Sequence, residues 1–213
     1  INNIIKVENS EVNGNICGGK GSSSTENKIS LDKVTLKGTH NITGGLKNSG
    51  SMLDNDKNTL EIKNSLTIDE GAEITIQKFN GITSTGATIT NNGELTFAEY
   101  KDATDDDILI LDATITGGVT NVNTNMKANG KLNTEIKVSE NIALTIDADN
   151  LTGEGAIKNG GVINLQEGTL NREITKLTGT SGTVVIGAGN IVVGDSGGKI
   201  NTNIEVASGN KLT

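Results

Sequence analysis

Two groups of acidic residues are the first candidates for chemistry, because clustered carboxylates can ligate Ca²⁺. Asp54 and Asp56 lie in the segment Asp-Asn-Asp-Lys-Asn, which resembles the start of an EF-hand calcium loop. The sixth position of that loop is Thr59 and the twelfth is Ser65, where an EF-hand needs Gly and Glu. The second group, in the polar stretch 100–107, comprises Asp102, Asp105, Asp106 and Asp107. We interpret both groups as solvated acidic loops, with calcium binding as the alternative.

The other reactive residue types occur singly. His40, Arg172 and Cys17 are the only histidine, arginine and cysteine of the chain. One histidine with no cysteine beside it is a poor metal site, and one cysteine cannot form an internal disulfide. The loop at 18–23 contains Gly and Lys but does not match the spacing of a phosphate-binding loop. We therefore predict no cofactor and no enzymatic activity.

The elements that carry these residues are predicted to be short strands. The 213 residues include 28 Gly and no Pro or Trp, and the apolar bulk comes from Ile, Leu and Val. β-branched residues punctuated by Gly and Asn favour strands joined by tight turns. An apolar fraction of 33% is low for a thick core, so we expect a long, thin fold.

The charge and the apolar runs exclude two classes of partner. A formal net charge of −8 opposes binding to nucleic acids and to anionic membranes, since both need a positive surface. No apolar run approaches the ~18 residues needed to span a bilayer. The chain begins at Ile1 without a signal peptide, which is typical of an excised or processed segment.

Internal repetition is the strongest signal for the fold. The segment 89–97 returns at 157–165 as Ile-x-Asn-x-Gly-x-(Leu/Ile)-x-(Phe/Leu), an offset of 68 in the numbering. The segment 130–138 returns at 198–206 with the same offset, and so does the pair Leu-Thr at 144–145 and 212–213. Two unrelated motifs that share one period indicate a stacked repeat fold.

This offset divides into three coils of about 22 to 23 residues, each with three short strands. We therefore predict an all-β, single-domain, right-handed parallel β-helix over residues 1–213. Residues 1–57 are predicted to form a less regular cap or first coils, and residues 58–213 the regular repeats. A β-sandwich is the alternative, but it does not explain the repeated offset.

A three-coil period also predicts side-chain positions. Residues one period apart should occupy the same inward column, three rungs apart along the axis. The predicted column pairs are Ile89 with Ile157, Leu95 with Ile163, Phe97 with Leu165, Ile136 with Ile204, and Val138 with Val206. We expect all ten side chains to point inward, with 204 and 206 exposed if that end is open.

The repeats at 159–163, 168–170 and 181–186 resemble passenger domains of Gram-negative autotransporters and related filamentous adhesins. The resemblance covers residues 58–213 and rests on the style of the repeats. It implies a secreted virulence protein that is exposed at the bacterial surface and threaded through an outer-membrane barrel. It further implies a longer chain with an outer-membrane translocator, and a host or extracellular protein or glycan as partner. The expected function is a non-enzymatic structural or adhesion scaffold.

Two other functions remain as alternatives. Many right-handed β-helices are polysaccharide lyases or hydrolases, which place carboxylates along a groove. Ice binding needs a flat array of regularly spaced Thr, which Thr88-Ile-Thr90 and Thr114-Ile-Thr116 suggest. The starts of these two pairs, at 88 and 114, differ by 26, and no further regular column follows them in the sequence. We therefore expect no threonine array.

Overall fold

The chain is described by a computed structural model, which covers residues 2–21, 26–47, 58–79, 81–84, 86–98 and 108–213. These residues form 26 β-strands, numbered in chain order, and one short 3₁₀ turn at Ala148–Asn150. No α-helix occurs in the ranges described. All strand pairs are parallel, and 21 strands belong to one continuous sheet.

The strands wind through three faces in a fixed order. The first face contains the amino-terminal parts of three long strands, followed by seven short ones: β1 (Asn2–Val12), β4 (Glu26–Leu36), β7 (Asn58–Ile68), β9 (Gly81–Ser84), β12 (Leu109–Leu111), β14 (Met126–Ala128), β16 (Ala143–Ile146), β19 (Val162–Leu165), β22 (Thr183–Ile186) and β25 (Asn203–Val206).

The second face continues from the first. It contains the carboxyl-terminal parts of β1, β4 and β7, then β10 (Thr88–Asn91), the first parts of β13 (Thr114–Asn123) and β15 (Leu132–Val138), and β17 (Leu151–Thr152). A separate sheet of three strands, β20 (Gly168–Leu170), β23 (Asn190–Val193) and β26 (Lys211–Leu212), takes this place in the later coils.

The third face completes each coil. Its strands are β2 (Ile16–Cys17), β5 (Thr39–Thr43), β8 (Glu73–Gln77), β11 (Glu94–Ala98), the second parts of β13 and β15, β18 (Ile157–Asn159), β21 (Glu173–Lys176) and β24 (Lys199–Asn201). Two further strands, β3 (Lys20–Gly21) and β6 (Leu46–Lys47), pair only with each other.

This arrangement is a parallel β-helix, and the predicted fold class is confirmed. One inward column on the first face runs through ten coils from Ile5 to Val206. Nine steps separate these two positions, so the mean coil has the predicted length of about 22 residues. The lengths of individual coils vary widely. The shortest step of the column joins Leu111 to Ala128, and the longest joins Ile29 to Leu60.

The core is a stack of aliphatic columns, because inward and outward side chains alternate along each strand. Most inward Ile, Leu and Val side chains are completely buried, and Phe97 is the largest of the fully buried side chains. The long strands turn between the first and second faces at Lys33 and Asn64, which adopt the left-handed conformation with φ of 53° and 56°. A single left-handed residue bends the strand without ending it.

The predicted column pairs are wrong, although the inward direction is confirmed. Ile89 aligns with Leu66 and Ile115 on the second face, whereas Ile157 aligns with Ile174 on the third. In each of the other four pairs, the first residue lies on the third face and the second residue lies on the first face. Eight of the ten side chains are fully buried, and only Ile204 and Val206 are exposed, at 43% and 47%.

The repeated sequence motif forms a corner between two faces, and this explains why the predicted column pairs are wrong. In each copy an Asn side chain accepts a hydrogen bond from a Gly N–H two residues later, from Gly93 to Asn91 and from Gly161 to Asn159, both at 3.1 Å. The same Asn donates to a carbonyl of the following coil at 2.9 Å. A Cβ on either Gly would lie 2.2 Å or 2.1 Å from a carbonyl oxygen of the preceding coil, which leaves no room for a side chain.

The two copies of this corner occupy different places in the coil. The first copy turns from the second face to the third, and the other turns from the third face to the first. The predicted period therefore corresponds to three coils and one further face. Residues one period apart are equivalent in their corner and not in their column.

Candidate binding surface

The predicted calcium ligands Asp54, Asp56, Asp102 and Asp105–Asp107 all lie outside the residues that the structure describes. Within the described ranges, no group of three or more His, Cys, Asp or Glu side chains is arranged to hold a metal ion. The interpretation of these segments as solvated loops stays a prediction. A candidate site in the described part of the chain must therefore come from the faces, the corners or the core.

His40 is a buried polar residue inside the third face, where it occupies the same column as Ile74. It is 5% exposed, and neither ring nitrogen has a hydrogen-bond partner among the described residues. Burial lowers the pKa of His40, opposed to a smaller extent by the backbone of Lys37. The sequence predicts that His40 is a solvent-facing turn residue. This prediction is wrong, because His40 lies in β5 and its side chain is buried in the core.

Arg172 is buried at a corner between the second and third faces and is 3% exposed. Its guanidinium donates to backbone carbonyls of two preceding coils, at Leu132, Thr134, Thr152, Glu154 and Gly155. Burial lowers the pKa of Arg172, and Glu135 opposes that shift. Its five bonds all go to the backbone, so the geometry fits a clamp between coils better than a catalytic role.

Two clefts follow corners of the solenoid. One, of about 280 Å³, is lined by Lys127, Asp147 and Glu167 among others. The other, of about 370 Å³, lies beside Arg172 and is bordered by Gly155 and Gly197. Both are open furrows between successive turns, and neither holds a cluster of acidic, histidine or cysteine side chains among the described residues.

The outward side of the third face is a set of polar side chains that bond to one another. Asn121 donates to Thr96 at 3.2 Å, and Gln77 donates to Thr43 at 3.1 Å. Lys158 binds Glu135 at 2.9 Å, which lowers the pKa of that carboxyl group. Neighbouring rungs are thus tied together by their own side chains, so these polar groups are already occupied.

The outward side of the second face differs, because it carries small hydroxyl side chains in four consecutive coils, between Glu11 in the first coil and Asn133. One column contains Thr35, Thr67, Thr90 and Thr116 in four consecutive coils. A second column, two residues earlier on each strand, contains Ser65, Thr88 and Thr114. We name these seven residues the threonine face.

The threonine face corrects the sequence-based expectation that no such array exists. Thr88 and Thr114 lie one coil apart in register, although their positions in the sequence differ by 26. Since coil lengths vary, the spacing in the sequence hides a regular column in space. The signal that could have shown it is the residue that follows the inward aliphatic side chain of each second-face strand.

Comparisons with known proteins give no relative for this chain. No family model matches it, no curated protein matches it, and no solved structure matches it. The described part of the chain contains no helix that could cross a bilayer. The arguments for function therefore rest on the residues and their geometry.

Proposed function

We propose that this chain is a non-enzymatic structural or adhesion scaffold of the bacterial surface or the extracellular space. The observation that carries the proposal is the continuous column through ten coils. At about 4.8 Å per rung, nine steps give a rod about 43 Å long. Such a rod keeps outward residues and loops in fixed relative positions, which suits the display of binding surfaces.

The core chemistry supports an extracellular scaffold. The rod is held together by parallel ladders and aliphatic columns, and its single cysteine makes no disulfide. A fold of this kind can propagate from one coil to the next, since the strand pairing of each coil is with its neighbours. This is compatible with passage through an outer-membrane translocator as an unfolded chain. We propose that the chain is part of such a longer, surface-attached protein, with an extracellular protein or glycan as its partner.

The adhesion proposal can be tested with the purified chain on fluorescent beads. The beads should adhere saturably to a host cell layer, a matrix protein or a glycan array, and the free chain should compete. Beads that carry the Leu165→Asp variant are the control for a folded surface, because this change disrupts the core. Adhesion no greater than that of albumin-coated beads on every surface would contradict the proposal.

The enzymatic alternative has a separate test. We expect no cleavage of pectin or a similar polyuronate, because Arg172 is engaged by the backbone and His40 is enclosed in the core. Product release by the purified chain should equal the rate without protein. Turnover that Asp105→Asn or Asp106→Asn abolishes would replace the scaffold with a polysaccharide lyase or hydrolase.

A further inference from the structure

The threonine face has two-dimensional periodicity. Its columns run along the solenoid axis with a repeat of about 4.8 Å, and the two columns are about 6.6 Å apart, twice the rise per residue. The pairing register within this face is unbroken from Val34 to Thr116. The nearest shifts lie at the corners, between Asp32 and Val34 and between Thr116 and Val119. The hydroxyl groups therefore form a regular grid.

The grid is rigid because of what lies behind and within it. The inward neighbours of the threonines form the column Val34, Leu66, Ile89 and Ile115, each at most 1% exposed. Threonine is β-branched, so its χ1 angle is restricted and its hydroxyl is held in a narrow range of positions. A ligand that binds this face does not have to order it first.

The hydroxyl groups of the face are available. None of the seven makes a side-chain hydrogen bond with another described residue, in contrast to the bonded side chains of the third face. Thr90 is exposed, and the other six are partly exposed. The seven positions carry neither charge nor an aromatic ring on which a sugar could stack.

We propose that the threonine face binds the surface of ice. Water molecules in ice occupy a fixed lattice, and its oxygen atoms repeat along two perpendicular directions at intervals close to those of the grid. Hydroxyl and methyl groups held at that spacing can join the lattice through ordered water, with little further loss of entropy. A charged or aromatic surface would favour ions or sugars instead. This binding goes beyond scaffold display and does not depend on where the chain is attached.

The test is partition of the purified chain into slowly growing ice. We expect the wild-type chain to be enriched in the ice fraction, whereas Thr90→Lys should lose the enrichment because a long charged side chain interrupts the centre of the grid. Thr75→Lys is the matched control, since Thr75 is an outward threonine of the third face. It should be enriched as strongly as the wild type. Thr116→Lys is a second variant of the face and should behave like Thr90→Lys.

Unfolding curves show that each variant is folded before it is compared. Exclusion of the wild-type chain from ice, to the level of an unrelated acidic protein, would overturn the proposal. Equal loss in Thr90→Lys and Thr75→Lys would also overturn it, because the effect would not belong to this face. Binding to a crystalline polysaccharide that is lost in Thr90→Lys, without enrichment in ice, would replace ice with a glycan as the ligand.

Discussion

His40 and Arg172 are both buried polar side chains, but they differ in how many hydrogen bonds they make. The ring nitrogens of His40 have no partner among the described residues, so the core favours the neutral form. Arg172 keeps its charge in the core because backbone carbonyl oxygens accept hydrogen bonds from its N–H groups. One side chain therefore lies in the core without a hydrogen-bond partner among the described residues, and the other joins three coils.

His40 should make the solenoid less stable in acid. Its pKa is lowered in the folded state, so below about pH 6.5 the unfolded chain binds more protons and stability falls. The loss is at most about 1.4 kcal/mol for each pH unit until the folded pKa is reached. We expect His40→Leu to lose less stability than the wild type between pH 7.5 and pH 5, measured by denaturant midpoints. Parallel losses in the two proteins would show that His40 does not titrate on unfolding.

Arg172→Met should destabilise the fold by about 3 kcal/mol or more, because buried carbonyls lose their charged donor. Lys176→Met is the matched control, since Lys176 is an exposed cation on the same strand, β21. Its denaturant midpoint should stay close to that of the wild type. Equal midpoints for the two variants would mean that water replaces the guanidinium at no cost.

At the scale of elements, the corners determine how the strands follow one another. Asn91 and Asn159 each close a turn with a Gly N–H and also reach a carbonyl of the next coil. Each is completely buried, so the amide group must satisfy both bonds to remain there. The same corner serves two different pairs of faces because all three faces present the same alternating strand pattern.

The direction of each side chain predicts that substitutions on two consecutive strands, β18 and β19, will differ greatly in their cost to stability. Leu165→Asp places an unpaired charge in a fully buried column and should cost several kcal/mol. Lys158→Asp changes an exposed side chain whose ion pair with Glu135 is worth at most about 1 kcal/mol. Thermal or denaturant unfolding of both variants measures the difference. Similar costs would be incompatible with the inward and outward assignments of these strands.

At the scale of the whole molecule, the solenoid keeps one inward column continuous on its first face while its coils vary in length. Insertions leave the column intact because they enter the connections between rungs, as in the coils that lead to Leu60 and Leu111. The acidic segments predicted as calcium candidates fall within these two longest coils. The connections can therefore change in length and charge without altering the faces.

Millimolar calcium should leave the melting temperature of the chain almost unchanged if the acidic segments are only solvated loops. A site that binds only the folded state and is present at 100 times its Kd would add about 2.7 kcal/mol, which gives a clear shift. Thermal melts with calcium and with a chelator make the comparison. A shift that Asp105→Asn and Asp106→Asn remove would establish a calcium site in the segment 100–107.

The sequence by itself determined the fold class and the inward direction of the aliphatic residues. These properties depend on local alternation and on Gly and Asn at the turns, which can be read along a single strand. Leu165 and Ile163 could be assigned to the core in this way, and Lys158 to the surface.

Only the tertiary structure decided which residues share a column. Because the coils differ in length, residues at a constant spacing in the sequence can lie on different faces. Ile89 and Ile157 therefore lie on different faces, whereas Thr90 and Thr116 share a column. Hydrogen bonding between rungs sets this register, and it joins residues that are far apart in the chain. The threonine face, the buried His40 and the clamp made by Arg172 all result from that long-range pairing.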